Sequence, residues 1–298
     1  MRILSAMVDV SCERGLQSTS VALIVSRAGI SRRTFYDLFE DRGDCFLAAF
    51  EEVVAWAETR VVTAYGAEQR WVDRVRAGLL ALLVFFDEEP KLAWLCVVEA
   101  LAAGRPTLTR RADLMQRLTA AVDEGRGIRR GGPPPLTAEG LVGGIFAVIH
   151  ARLLQGDPGR LSALLNPLMG VIVQPYLGGP QARRELTRPA PRPRAAGHAA
   201  KARSPLESVE MRLTYRTLRA LAAIAEDPGL SNRQVAKTAG ISDQSQISRM
   251  LARLATLGLV ENTGEGQPKG ECNAWRLTSK GQELVQAVPI ELGHAGHS

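Results

Sequence analysis

Residues 15–42 read GLQSTSVALIVSRAGISRRTFYDLFEDR, and this stretch decides the fold. Val21, Ile24, Val25 and Ala28 fall at i, i+3, i+4 and i+7, the single buried face of a short amphipathic helix. The short hydroxyl cluster Ser18, Thr19 and Ser20 stands just before it and offers its N-cap. After Ala28, Gly29 is free to take the positive φ of a helix terminus, Ile30 plugs the corner, and Ser31 caps the next helix. That helix, SRRTFYDLF, turns Phe35, Leu38 and Phe39 inward and leaves Arg32, Arg33, Thr34, Tyr36 and Asp37 on or near the outer side. Upstream, Ile3, Met7 and Val10 keep helical spacing over residues 2–14, and Gly15 ends that run. The pattern is a helix-turn-helix whose last helix offers donors suited to base edges and phosphates at its N-terminal end.

The run G-x-x-x-x-S-V-x-x-I-V-x-x-A-G-I-S-x-x-T-F-Y-x-x-F-x-x-R, from Gly15 to Arg42, resembles the DNA-binding domain of the TetR family of transcriptional repressors. That resemblance implies that Arg32, Arg33, Thr34 and Tyr36 face DNA and that Arg42 meets a phosphate at the start of the next helix. Thr19, Ser20 and Ser31 join them as DNA-binding candidates. One position departs: Leu38 stands where the family commonly has a phosphate-contacting His, so one backbone contact is expected to be missing.

Downstream of this 1–43 domain, residues 44–180 are helical in pattern throughout, over 41–65, 68–87, 90–103, 107–125, 137–155 and 158–177, with Gly or Pro at the breaks. The resemblance implies a ligand-sensing and dimerisation domain here. Trp56, Trp71, Phe85, Trp94, Phe146 and His150 are the bulky candidates for lining a pocket, with ordinary core packing as the alternative. The last two helices, residues 137–178, are apolar on much of their circumference and carry Gly140, Gly143 and Gly144. A helix apolar all round must be covered on every side, and a second copy of the chain is the natural cover, so a homodimer is expected through residues 137–178.

Residues 181–205 hold seven basic residues and the single acid Glu185, while the rest of the chain is close to neutral, so the formal charge of +6 lies in this stretch. Its four prolines and scarcity of large apolar side chains read as a linker. The charge either solvates a tether or tracks nucleic-acid phosphates. Beyond it the tetrapeptide Ala-Gly-Ile-Ser of residues 28–31 recurs at 239–242, between a helix capped by Ser231 and the helix DQSQISRMLARLATLG. Ile247, Met250, Leu251 and Leu254 form the buried face of that helix, leaving Gln244, Ser245, Ser248 and Arg249 on the open side beside the capping Ser242. Gln and Arg are side chains able to make paired contacts to base edges in a major groove. Extended runs at 259–263 and 273–277 around a Gly-rich loop predict a β-hairpin, and a last helix begins at Ser279. With the L-T-x-x-G sequence at 277–281, residues 206–290 resemble a MarR-like winged helix-turn-helix; residues 291–298 are a tail. Its wing offers only Lys269 beside Glu265 and Glu271, which leaves open a protein-contact or dimerising role for this domain.

The expected fold class is therefore all-α: a TetR-like three-helix domain and a helical ligand and dimerisation domain, then a winged helix with a small β-hairpin. A length of 298 residues fits more than one domain, and 46% apolar and 23% charged residues exclude a wholly disordered or fibrous chain. Four widely spaced cysteines without a CxxC pair argue against a disulfide framework or a structural zinc site, and for a reducing cytoplasm. The charge-free segment 161–182 contains Asn166, Pro167, Gln174 and Pro175, so an interface helix is the better reading than a membrane span. No phosphate-binding glycine loop, HExxH or GxSxG occurs, and the four histidines are scattered, so no enzyme, metal or cofactor is expected. The expected partners are double-stranded DNA bearing a palindromic operator, a second copy of the chain and a small-molecule effector.

Overall fold

In the computed structural model, which describes residues 2–36, 38–155, 159–189, 215–239, 244–264 and 273–287, the chain forms two units, Met1–Val209 and Glu210–Ser298.

The first unit begins with α1 (Arg2–Arg14), a 3-10 turn (Leu16–Ser18), α2 (Val21–Ala28) and α3 (Arg32–Tyr36). Local chemistry sets these boundaries. Ser20 caps α2 by accepting a hydrogen bond from the Leu23 N–H, and Gly29 closes it in the left-handed region at φ 64°. Ser31 caps α3 through the Thr34 N–H at 3.0 Å. The last of the three is shorter than its sequence pattern suggests: Phe39 leaves the helical run and is buried beyond it.

Next come α4 (Arg42–Gly66), α5 (Trp71–Glu88), α6 (Pro90–Val97), α7 (Arg105–Asp123), α8 (Thr137–Leu154), α9 (Leu165–Leu177) and α10 (Gly179–Thr187). A reciprocal cap starts α4: Asp41 accepts from the Asp44 N–H, and Asp44 accepts from the Glu40 N–H. Pro90 opens α6 at a position where its missing N–H costs nothing. The expected helix over 90–103 breaks at Val98 into a 3-10 turn, Glu99–Ala102, and a second such turn, Leu161–Leu164, precedes α9. One continuous core joins α1 to α9, with Phe35, Phe46, Phe50, Phe85, Leu95, Ile149 and Met169 at its centre.

Helix α10 corrects the sequence reading of 181–205 as linker from its first residue. Its anchor is an ion pair between Arg76 and Glu185 at 2.9 Å, with both side chains no more than 4% exposed. Asn166 Oδ1 accepts from the same guanidinium at 2.6 Å, and its amide donates to the Arg188 carbonyl. Gly170 on α9 faces the side chain of Leu186 on α10, which a Cβ there would push aside. By length and composition α8 alone among the described helices qualifies to cross a bilayer, although it carries Glu139 and Arg152.

The second unit comprises α11 (Tyr215–Glu226), α12 (Asn232–Ala239), α13 (Gln244–Thr256), β1 (Val260–Asn262), β2 (Trp275–Leu277) and α14 (Ser279–Ala287). The strands pair antiparallel, with Glu261 opposite Arg276, and Leu230 bridges to Trp275 as a third edge. Leu221, Ile224, Val235, Ile247, Leu251, Leu259 and Trp275 form a separate core. Ser231 and Gln234 cap each other at the start of α12. The L-T-x-x-G sequence has a structural reason: Thr278 caps α14 through the Gly281 N–H, and a Cβ on Gly281 would overlap the Leu259 carbonyl oxygen. The observed class is therefore mostly helical, with a helix-turn-helix opening the first unit and, among the described residues of the second, a winged helix carrying one small sheet.

Candidate nucleic-acid interface and effector cavity

The outer side of α3 is built from its cap outward. The Ser31 hydroxyl fixes the first turn and lies 2.9 Å from the Thr34 hydroxyl. Ser31, Arg32, Arg33, Thr34 and Tyr36 are all exposed, and Ser20 is exposed at the cap of α2. Phe35 anchors the helix from beneath and packs edge-on against Tyr36, ring centroids 5.5 Å apart, which holds the phenol outward at 56% exposure. Among the described residues, Arg32 and Arg33 make no ion pair, whereas Arg27 is consumed by a bidentate bond to Glu13 at 2.6 and 2.9 Å. Two guanidiniums on one exposed, capped helix are thus without an acid partner among the described residues.

Two candidates from the sequence are engaged within the chain. Thr19 is 2% exposed and its hydroxyl donates to the Gly15 carbonyl, so it holds the turn between α1 and α2 and faces no solvent. Arg42 is half-buried and its Nη1 donates to the Gln17 and Thr19 carbonyls, at 3.2 and 2.7 Å. The start of α4 thus uses Nη1 of this side chain to clamp the lead-in to α2, while its other N–H groups keep the expected phosphate contact a proposal. Leu38 packs against the core.

The motif is also fastened to the helices behind it. Glu99, 8% exposed, accepts the Leu16 N–H at 2.7 Å on one carboxylate oxygen and the Trp94 indole N–H at 2.9 Å on the other. Gln17 donates to the Ala102 carbonyl, and Lys91 pairs with Asp9. Sequence reasoning missed Glu99; its one sequence signal is an acid inside the apolar run LCVVEALAA of residues 95–103.

Between α4, α5, α6, α7 and α8 lies an apolar cavity of about 60 Å³. Phe50, Val54, Leu82, Phe86, Met115 and Phe146 form most of its wall, with Cys96 from α6 and Arg111 from α7. Of the aromatic and histidine candidates, only Phe146 belongs to it. Trp56 stacks edge-on against Phe85 under Arg60, Trp71 packs on Tyr176, and Trp94 is held by Glu99. Trp71, Phe85 and Trp94 serve packing and hydrogen bonding, and His150 is half-buried outside the cavity wall. The sequence offered one signal for Arg111: it is the polar member of the stripe Arg111, Leu114, Met115 and Leu118, at i, i+3, i+4 and i+7.

In the second unit Ser248 and Arg249 are exposed on α13, and Gln244 and Ser245 open that helix. Asn232 fixes α13 to the hairpin: its amide donates to the Ser248 hydroxyl at 2.9 Å, and its carbonyl oxygen accepts from the Trp275 indole at 2.6 Å and the Asn273 amide at 3.2 Å. Ser242 and the wing residue Lys269 lie outside the described residues.

Comparison with known proteins agrees with this geometry at both ends of the chain. Residues 3–49 match the model of bacterial regulatory proteins of the tetR family, and residues 214–264 match the IclR helix-turn-helix domain. The winged helix expected at the carboxy-terminal end therefore stands, while its match is to the IclR type and not to the MarR-like type expected. The fatty acid degradation regulator FadR of Bacillus halodurans is 17% identical at a TM-score of 0.52, over 58% of this chain and 96% of its own. FadR of Bacillus subtilis, solved in complex with stearoyl-CoA, is 18% identical at a TM-score of 0.51, over 58% and 97%. SmeT, the repressor of a Stenotrophomonas maltophilia multidrug efflux pump, is 20% identical at a TM-score of 0.52, over 64% and 96%. These neighbours share the fold of the first unit. No curated protein matches the chain.

Proposed function

From a chain with a tetR-type helix-turn-helix at one end and an IclR-type one at the other, we propose a ligand-responsive, DNA-binding transcriptional repressor of the cytoplasm. The observation that carries this reading is the exposed, capped α3 with Arg32, Arg33 and Tyr36 outward and no acid neutralising either guanidinium among the described residues. As a dimer, two copies of α3 would enter successive major grooves about 34–36 Å apart on a palindrome. An effector in the cavity would act by preferring the state in which that spacing is wrong. A fold neighbour that holds stearoyl-CoA supports the effector part of the reading.

The dimer is proposed through α8 and α9. Gly140, Gly143, Gly144, Ala147, Val148 and Ala151 are exposed along α8, and Ala163, Pro167 and Val171 are exposed beside them along the α9 segment. A Cβ built on any of the three glycines meets nothing within 4 Å, so packing inside the chain does not require them. Mid-helix glycine costs about 1 kcal/mol against alanine. Close approach of a second helix is the reason that offsets this cost. The winged helix is proposed as a second DNA reader through Ser248 and Arg249.

The test is a genome-wide binding map, then mobility shift on the recovered operator. Arg33→Ala is expected to weaken binding by about 1–3 kcal/mol if its guanidinium reads a base. Unchanged affinity for Arg32→Ala and Arg33→Ala together removes α3 as the reader. Arg249→Ala in the same assay is expected to shorten the footprint, and an unaltered footprint assigns the second unit to protein contacts.

A further inference from the structure

Arg111 stands apart from the other cations of its helix. Arg110 and Arg117 flank it and both reach Glu58, at 3.8 and 2.5 Å, so the one acid in the cavity wall is already engaged. Among the described residues, Arg111 has neither an ion pair nor a hydrogen bond, although it is half-buried against an otherwise apolar wall. Burial alone moves its guanidinium below the ordinary range, with no acid opposing the shift. A guanidinium stays charged in proteins, so the cation remains and is incompletely compensated. A second polar group on the same stripe is also unsatisfied. Thr107, one helical turn before Arg111 and outside the cavity wall, is 1% exposed and its hydroxyl has no hydrogen-bond partner among the described residues. A helical Thr ordinarily bonds back to the preceding turn.

We infer that the effector is an apolar molecule ending in one anionic head of the carboxylate kind, with the head on Arg111 and the apolar body lying partly in the cavity of about 60 Å³ among Phe50, Phe86, Met115 and Phe146 and partly in its open mouth. This rests on the effector reading above and names its ligand class. The fixed fork of the guanidinium matches a carboxylate, and in a low-dielectric wall a charge-assisted pair is strong. The other charge in the wall, Glu58, is already held by Arg110 and Arg117, so the lining offers no second free charge to receive a dianion or a zwitterion. A neutral molecule of the same shape would leave Arg111 as it is, whereas a cation would be repelled.

The test uses the full chain with octanoate, octanamide and octylammonium as probes, read by calorimetric titration at neutral pH. Octanoate is expected to bind roughly ten-fold or more tightly than octanamide, with octylammonium weakest. Arg111→Met is expected to abolish that preference, and Arg111→Lys to retain it. A further readout separates this from a structural role: because no described residue pairs with Arg111, Arg111→Met without ligand should melt no lower than the parent chain. Equal binding of octanoate and octanamide, a preference that survives Arg111→Met, or no octanoate binding each overturns the assignment. Operator binding by the same samples is a separate measurement, so a failed ligand class and a failed regulator reading give different results.

Discussion

Cys96, in the cavity wall, has its thiol pushed up to about 12, chiefly by burial and secondarily by neighbouring Cys12. Cys12 is likewise raised to about 12, and Cys45 well above its ordinary value. At pH 8 a thiol with a value near 12 is ionised only about once in ten thousand, and the thiolate is the nucleophile. An alkylating reagent at pH 8 is therefore expected to leave Cys45 and Cys96 unmodified in the folded chain and to label them on unfolding. Peptide mass mapping checks this, and labelling at the unfolded rate would refute the burial. The same shifts make folding stability depend on pH. The raised values contribute fully below the unfolded thiol value of 9.0, and the contribution is lost as pH rises toward 12. At this scale the sequence was readable wherever a residue acts on its neighbours, as with the caps Ser20 and Ser31 and the corner at Gly29. It misled at Thr19, whose hydroxyl looks free until the turn after α1 brings the Gly15 carbonyl to it. Arg111 showed only as a polar place in an apolar stripe, because its meaning lies in the partner it lacks among the described residues.

Helix α10 shows how an element escapes a reading based on composition. Residues 181–205 average to prolines and positive charge, yet the first seven continue a helix whose hold is on Arg76, 109 residues away from Glu185 in the chain. Removing one partner of a buried ion pair strands the other, so Glu185→Ala is expected to cost about 3–5 kcal/mol of stability in the first unit. Replacing both partners, as Arg76→Met with Glu185→Leu, should cost much less. Denaturant unfolding monitored through the Trp71 fluorescence, whose ring lies 4.9 Å from that of Tyr176, measures both. Equal losses for the single and double variants would show that the pair is not the anchor. The remaining helices were legible because their apolar periodicity is local. The break at Val98 was not, because it is Glu99 turning to meet Leu16 and Trp94 that ends α6.

For the molecule as a whole, the exposed face of α8 predicts the state of association. Gly144→Glu places a carboxylate where a Cβ now meets open space, so it should leave the monomer fold intact while abolishing the dimer. Sedimentation analysis at micromolar concentration reads both, and a monomeric parent chain would refute the interface. The sequence pointed to this face through its glycines, but the cavity between α4 and α8 depended on which aromatic rings the fold uses elsewhere, and no spacing conveys that. The bond from Glu99 to the Leu16 N–H has a consequence for how such a chain is assembled and inherited. The first three helices do not satisfy all of their own backbone; they borrow an acceptor from the helices behind them and lend a buried donor in return. Such a motif is not an interchangeable part. A chimera that grafts α1–α3 onto a foreign helical body inherits a dangling amide at Leu16, and a body that receives a foreign motif keeps a carboxylate with half its work gone. A graft that keeps both groups paired has to carry the turn at residues 99–102 along with α1–α3.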